Sequence, residues 1–184
     1  MKLTGPAILV FRASTSLQAS PAAYPDRYAT WRLRGTHVSK SFDVIDVPAW
    51  QSLKSSAILC RHAGDLDGAI RHLLKAIELT RPNPKLAEET ALSLNYLADI
   101  YLLVGTDEAA EEALRESIEL SCPRFPLLHA ANLWILGGIQ CRQRRHHEAL
   151  ASAEESRRLC QQNGHPYGVG QAEELLERIR ATST

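Results

Sequence analysis

Proline and glycine recur along this 184-residue chain at near-constant spacing, and that spacing limits what the chain can fold into. Pro84, Pro126 and Pro166 lie 42 and 40 residues apart, each followed by an amphipathic run. Breaks fall between them at Gly64-Asp65, at Gly105-Thr106-Asp107 and at the polar Arg144-Arg145-His146-His147. Proline fits the first turn of a helix, where its missing N–H costs nothing, and glycine fits just past the last turn. The spacing therefore predicts helix–turn–helix units of about 40 residues.

The second helices of these units align without gaps over residues 64–79, 105–120 and 144–159. Small residues recur at Ala69, Ala110 and Ala149, and again at Ala76, Ser117 and Ser156. Such positions mark close approach of two helix axes, where a large side chain would force the pair apart. The first helices match through Leu97-Ala98 with Tyr101, through Leu136-Gly137, and more weakly through Ser56-Ala57 with Cys60. This pattern resembles the tetratricopeptide repeat: a Leu-Gly or Leu-Ala pair, a Tyr three residues on, then Ala, a large apolar residue and a second Ala. Residues 97–117 match best, and the third unit departs at Gln140, Arg144 and Ala153.

The resemblance implies an all-α fold, a right-handed superhelical solenoid of three hairpins. The repeats are expected at about 50–83, 84–125 and 126–164 within a domain of 49–184, with a polar-faced capping helix over 166–181. The long period is similar to that of kinesin light chains and of Rap-type and PlcR-type bacterial regulators. By that resemblance Asn95 faces a concave groove and bonds a bound peptide backbone, with Asp99 one turn later on the same face. Lys54 and Trp134 hold the places equivalent to Asn95, and Tyr96 and Trp134 supply apolar support. The clamp for acidic chaperone tails is disfavoured: Lys54 fits it, but Ile58, Tyr96, Ala131 and Ile135 hold its other places.

Charge argues in the same direction. The 21 Lys and Arg balance 21 Asp and Glu, which disfavours a dedicated nucleic-acid binder. The balance is a cancellation: residues 91–124 carry two basic and seven acidic side chains, and 131–164 carry five and three. Arg142, Arg144 and Arg145 follow from a helix C-terminus, where cations are favoured, or form a docking point for an acidic partner. The same asymmetry would suit self-association. The first 48 residues are expected to be an irregular basic arm, a transit-like segment or a misassigned start.

No catalytic motif stands out. Cys60-Arg61-His62 and Cys141 with His146-His147 place thiol and imidazole close in sequence, but both cysteines fall at packing positions, where an inert thiol is the simpler reading. Adjacent histidines point about 100° apart on a helix and do not share an ion, and no i, i+4 pair exists. No run reaches the ~18 apolar residues of a membrane span. The chain thus reads as a cytoplasmic, non-enzymatic module, without cofactor or metal, that binds a protein or peptide. The alternative is a small regulatory or secretion-chaperone-like protein whose N-terminal arm controls partner binding or oligomerisation.

Overall fold

A computed structural model describes residues 46–183. The arm expected over 1–48, and any role for it, falls outside them except for Asp46, Val47 and Pro48, which form the first turn of a helix. The described residues are all-α. Helix α1 is Asp46–His62, α2 Leu66–Thr80, α3 Ala87–Val104, α4 Asp107–Ser121, α5 Pro126–Arg142, α6 His146–Gln162 and α7 Pro166–Thr182. A short 3-10 turn, Pro84–Leu86, precedes α3. Pro126 and Pro166 thus open helices directly, whereas Pro84 opens this turn.

Local chemistry sets the boundaries. Asp65 caps α2 by accepting the Gly68 N–H at 2.8 Å, and His165 caps α7 through Nδ1. A buried N-terminal N–H without such a partner would be left unsatisfied. The turns after α1, α3, α5 and α6 share one bond, from the N–H beyond the turn to a carbonyl five residues back: Asp65 to Cys60, Thr106 to Tyr101, Arg145 to Gln140, and His165 to Cys160, each 2.9 Å. This geometry needs a left-handed residue. Gly64, Gly105 and Gly164 provide it freely, whereas Arg144 adopts φ 61° against its side chain.

Helices pair as α1/α2, α3/α4 and α5/α6, and the first helices α1, α3 and α5 lie side by side. The close-approach positions are all buried: Ala69, Ala110 and Ala149, with Ala76, Ser117 and Ser156. One apolar cluster joins the first two hairpins to Ile135, Leu136 and Ile139 of α5, and a second joins α6 to α7. Trp134 packs against both.

The outward faces of α1 and α7 carry many polar side chains, with Leu59 exposed among them on α1. Leu59, Ile100 and Ile139 occupy one repeat position, yet Leu59 is 69% exposed while Ile100 and Ile139 are 3% and 0%. Around Leu59 the outer row of α1 carries Gln51, Ser52 and Ser55, where α3 has Leu92, Ser93 and Tyr96. At the other end α7 buries Ala172, Leu175, Leu176 and Ile179 and exposes Glu173, Glu174 and Glu177.

Candidate functional site

Helix α3 carries the residues that matter most, and it is buried on most sides: Ala91, Leu92, Leu94, Leu97, Ala98 and Ile100 all face other helices. Successive side chains point ~100° apart, so neighbours in sequence meet different surroundings. Asn95 is 3% exposed and turned toward α5. Its Nδ2 donates to Asn132 Oδ1 at 2.8 Å, Asn132 Nδ2 donates to Ser117 Oγ at 2.8 Å, and the Ser117 hydroxyl donates to the Ala91 carbonyl at 2.7 Å. Asn95, for which the resemblance implied a groove contact, is thus bonded inside the domain. A buried amide must be satisfied, and here the partner is a second amide inside the domain.

Sequence reasoning did not single out Asn132 or Ser117 for hydrogen bonding. The available signal was serine at a position the repeat fills with alanine. Ser156 repeats the bond to the Ala130 carbonyl at 2.7 Å, while the first hairpin has Ala76 and lacks it.

Tyr96 and Asp99 point elsewhere, toward α1. Arg61 Nη2 lies 2.9 Å from Asp99 Oδ2, and the two side chains are 27% and 19% exposed. Beside this pair Ala57, Ile58, Arg61, Leu73, Tyr96 and Ile100 line a shallow apolar pocket open to solvent. Burial raises the Asp99 carboxyl above its ordinary value, and Arg61 only partly opposes this. Burial, followed by the Asp99 charge, pushes the Tyr96 hydroxyl up to about 12. Ile58, Asp99 and Gly138 are repeat-equivalent, at the offsets of 41 and 39 residues that relate Gly64, Gly105 and Arg144. A Cβ added at Gly138 would meet nothing within 4 Å.

The other expected residues are engaged within the domain. Lys54 Nζ sits 4.4 Å from the Trp50 ring centroid. Trp134 Nε1 donates to the Gln171 carbonyl at 3.1 Å, tying α5 to α7. Arg142 holds Asp107 with two bonds, at 2.9 and 3.2 Å. Arg145 reaches Glu111 at 2.7 Å and Glu148 at 3.0 Å. The basic third hairpin thus answers the acidic second one intramolecularly through Arg142 and Arg145. Arg144 is the left-handed turn residue. Of these residues Tyr96 lines the hollow with Arg61, and Asp99 pairs with Arg61 beside it.

The thiols are free, and Cys160, the buried one, has its pKa raised by that burial. Among the described residues no three His, Cys, Asp or Glu side chains gather to hold a metal. No described helix is long and apolar enough to cross a membrane.

Comparison with known proteins bears on the first two hairpins most directly. The tetratricopeptide repeat family matches residues 51–122. No curated protein matches the chain. Among solved structures, a crystal structure of MamA protein is similar at 18% identity, with a TM-score of 0.33, covering 73% of this chain and 90% of that one. A second MamA crystal structure is similar at 17% identity, with a TM-score of 0.34, covering 68% and 93%. The stretch matched by that family runs from α1 to the residue after α4, and so takes in the first two hairpins.

Proposed function

We propose that residues 46–183 form a protein-interaction module that holds a peptide or partner segment on the face of α1, α3 and α5. The observation that carries this reading is the row Ile58, Asp99 and Gly138. Glycine inside a helix costs about 1 kcal/mol relative to alanine. At Gly138 packing does not require it, because a Cβ there has open space around it. A partner backbone drawn close to α5 would require it. Tyr96, Asp99 and Arg61 stand on the same face beside a small apolar hollow. The tetratricopeptide match over the first two hairpins supports a protein as the partner class. Nothing in this reading calls for a cofactor or a catalytic residue.

Photo-cross-linking tests it. A benzophenone amino acid at position 58 or 138 of the full chain, expressed in its native host, is expected to capture a defined partner. The same residue at exposed position 74 on α2 is not. Capture from position 74 alone, or equal capture from all three, would contradict the assignment of the face.

A further inference from the structure

The seam between the second and third hairpins holds a titratable group where the first seam has a hydroxyl. Between α2 and α3, Thr90 Oγ1 donates to Thr80 Oγ1 at 2.8 Å. The repeat equivalents of Thr90 and Thr80 are His129 and Ser121, and His129 Nδ1 lies 3.5 Å from Ser121 Oγ. The Ser121 hydroxyl donates to the Ile118 carbonyl at 3.2 Å and accepts from Asn132 Nδ2 at 3.4 Å. Through Asn132 the ring therefore adjoins the amide chain that reaches Asn95. A threonine hydroxyl keeps one charge state between about pH 5 and pH 8, whereas an imidazole changes charge there.

A proton on this ring is poorly compensated. Among the described residues Glu155 of α6 is the carboxylate whose charge acts on it, and Glu155 is already held by Arg158. Glu119 of α4, the Cys122 thiol and Arg124 of the following turn are exposed, and α5 has no other titratable side chain before Cys141. The charged ring also carries two N–H donors, with Nδ1 turned to a hydroxyl that already accepts from Asn132. We propose that His129 is a pH-sensitive latch on the second seam: the neutral ring stays packed at Ser121, and the protonated ring is driven toward water, withdrawing support from Ser121 and Asn132. Burial, only partly opposed by the Ile118 carbonyl and Glu155, holds the folded pKa below the ordinary 6.5. The unfolded chain takes the proton near 6.5 and the seam only below it, so stability is full above 6.5 and falls as pH drops toward the depressed folded value. Thr90 and Thr80 give the first seam no such response.

The test uses the full chain beside His129→Thr, which carries over the residue of the first seam. Hydrogen exchange of the Asn132 side-chain amide reports the second seam, and that of the Trp50 indole N–H reports the first. Each is expressed as protection relative to the free group at the same pH. Between about pH 7.5 and about pH 5.5 the Asn132 protection is expected to fall about fivefold while the Trp50 protection holds. In His129→Thr the fall at Asn132 is expected to vanish. An equal fall at both groups, no fall at Asn132, or the same fall in the variant overturns the inference. Should the variant not fold, the imidazole titration of the unaltered protein decides. A midpoint below 6.5 that the Asn132 amide signals follow is expected. A midpoint at or above 6.5, or Asn132 signals that ignore it, overturns the inference equally.

Discussion

The two seams between hairpins use equivalent positions differently. Where the first hairpin meets the second, Trp50 Nε1 donates to Ser93 Oγ at 2.8 Å and Thr90 Oγ1 lies 2.8 Å from Thr80 Oγ1. Where the second meets the third, the residue equivalent to Ser93 is Asn132, which bonds α3 through Asn95 and α4 through Ser117. A hydroxyl joins two groups, whereas a carboxamide with two donors and an acceptor joins three helices at once. The second seam is therefore fixed by an all-or-none chain of polar contacts, which specifies register and is costly to break. The first leaves its polar pair, Arg61 and Asp99, partly open to solvent. One seam is committed to the fold, and the other leaves a polar pair at the surface.

Breaking the amide chain gives the largest expected effect. Asn132→Ala strands Asn95 and is expected to cost about 2–4 kcal/mol in urea unfolding, against about 1–2 kcal/mol for Ser93→Ala. Equal costs would erase the distinction between the seams. The ion pairs sharpen it at a smaller scale. Arg145→Ala, which leaves Glu111, its side chain 11% exposed, to Arg115 alone, is expected to cost about 1–2 kcal/mol. The more exposed Arg81, paired with Glu116 at 2.7 Å across the first seam, is expected to cost under about 1 kcal/mol. Relief of the left-handed Arg144 is smaller again: Arg144→Gly is expected to gain about 0.5–1 kcal/mol, and Arg144→Ala nothing.

Acidification should act on the seams with opposite sign. Burial raises the Glu111 carboxyl, but Arg145, joined by the Arg115 charge and the Gln143 side chain, more than reverses this, so its folded pKa lies below the ordinary 4.5. Its contribution is present above that value and is lost as pH falls through the depressed folded one. Asp99 is raised above 3.8 by burial, so the folded protein holds its proton more tightly. Its penalty is full above the raised value and is relieved as pH falls toward 3.8. Glu111→Gln is thus expected to destabilise at pH 7 and progressively less in acid. Asp99→Asn is expected to be neutral or stabilising at pH 7, with the difference shrinking in acid. Parallel pH dependence of the two variants would show that the seams do not differ in this way.

Much of the fold was legible because its signals are local. Proline at a helix start, glycine in a left-handed turn and small residues at helix crossings each act within a few residues, and they repeat. The site was less legible because α3 is enclosed by neighbours on most of its surface. Without a polar stripe to orient it, sequence could not say that Asn95 turns inward while Tyr96 turns to the pocket. The arginine pairs carried a readable clue: Arg81 with Glu116, Arg142 with Asp107 and Arg145 with Glu111 are all 34 or 35 residues apart, just short of one repeat. Opposite charges at that offset match contacts across the seams.

The central claim is that Asn95 serves the fold while the row through Gly138 serves a partner, and one paired measurement tests it. Gly138→Ala and Asn95→Ala are compared by urea unfolding and by cross-linking yield from position 58. Gly138→Ala is expected to raise stability by about 0.5–1 kcal/mol and to lower the yield. Asn95→Ala is expected to lower stability by about 1–3 kcal/mol and to keep the yield per folded molecule. A Gly138→Ala protein that captures its partner as well as the unaltered chain, beside an Asn95→Ala protein that folds normally and captures nothing, would contradict the account.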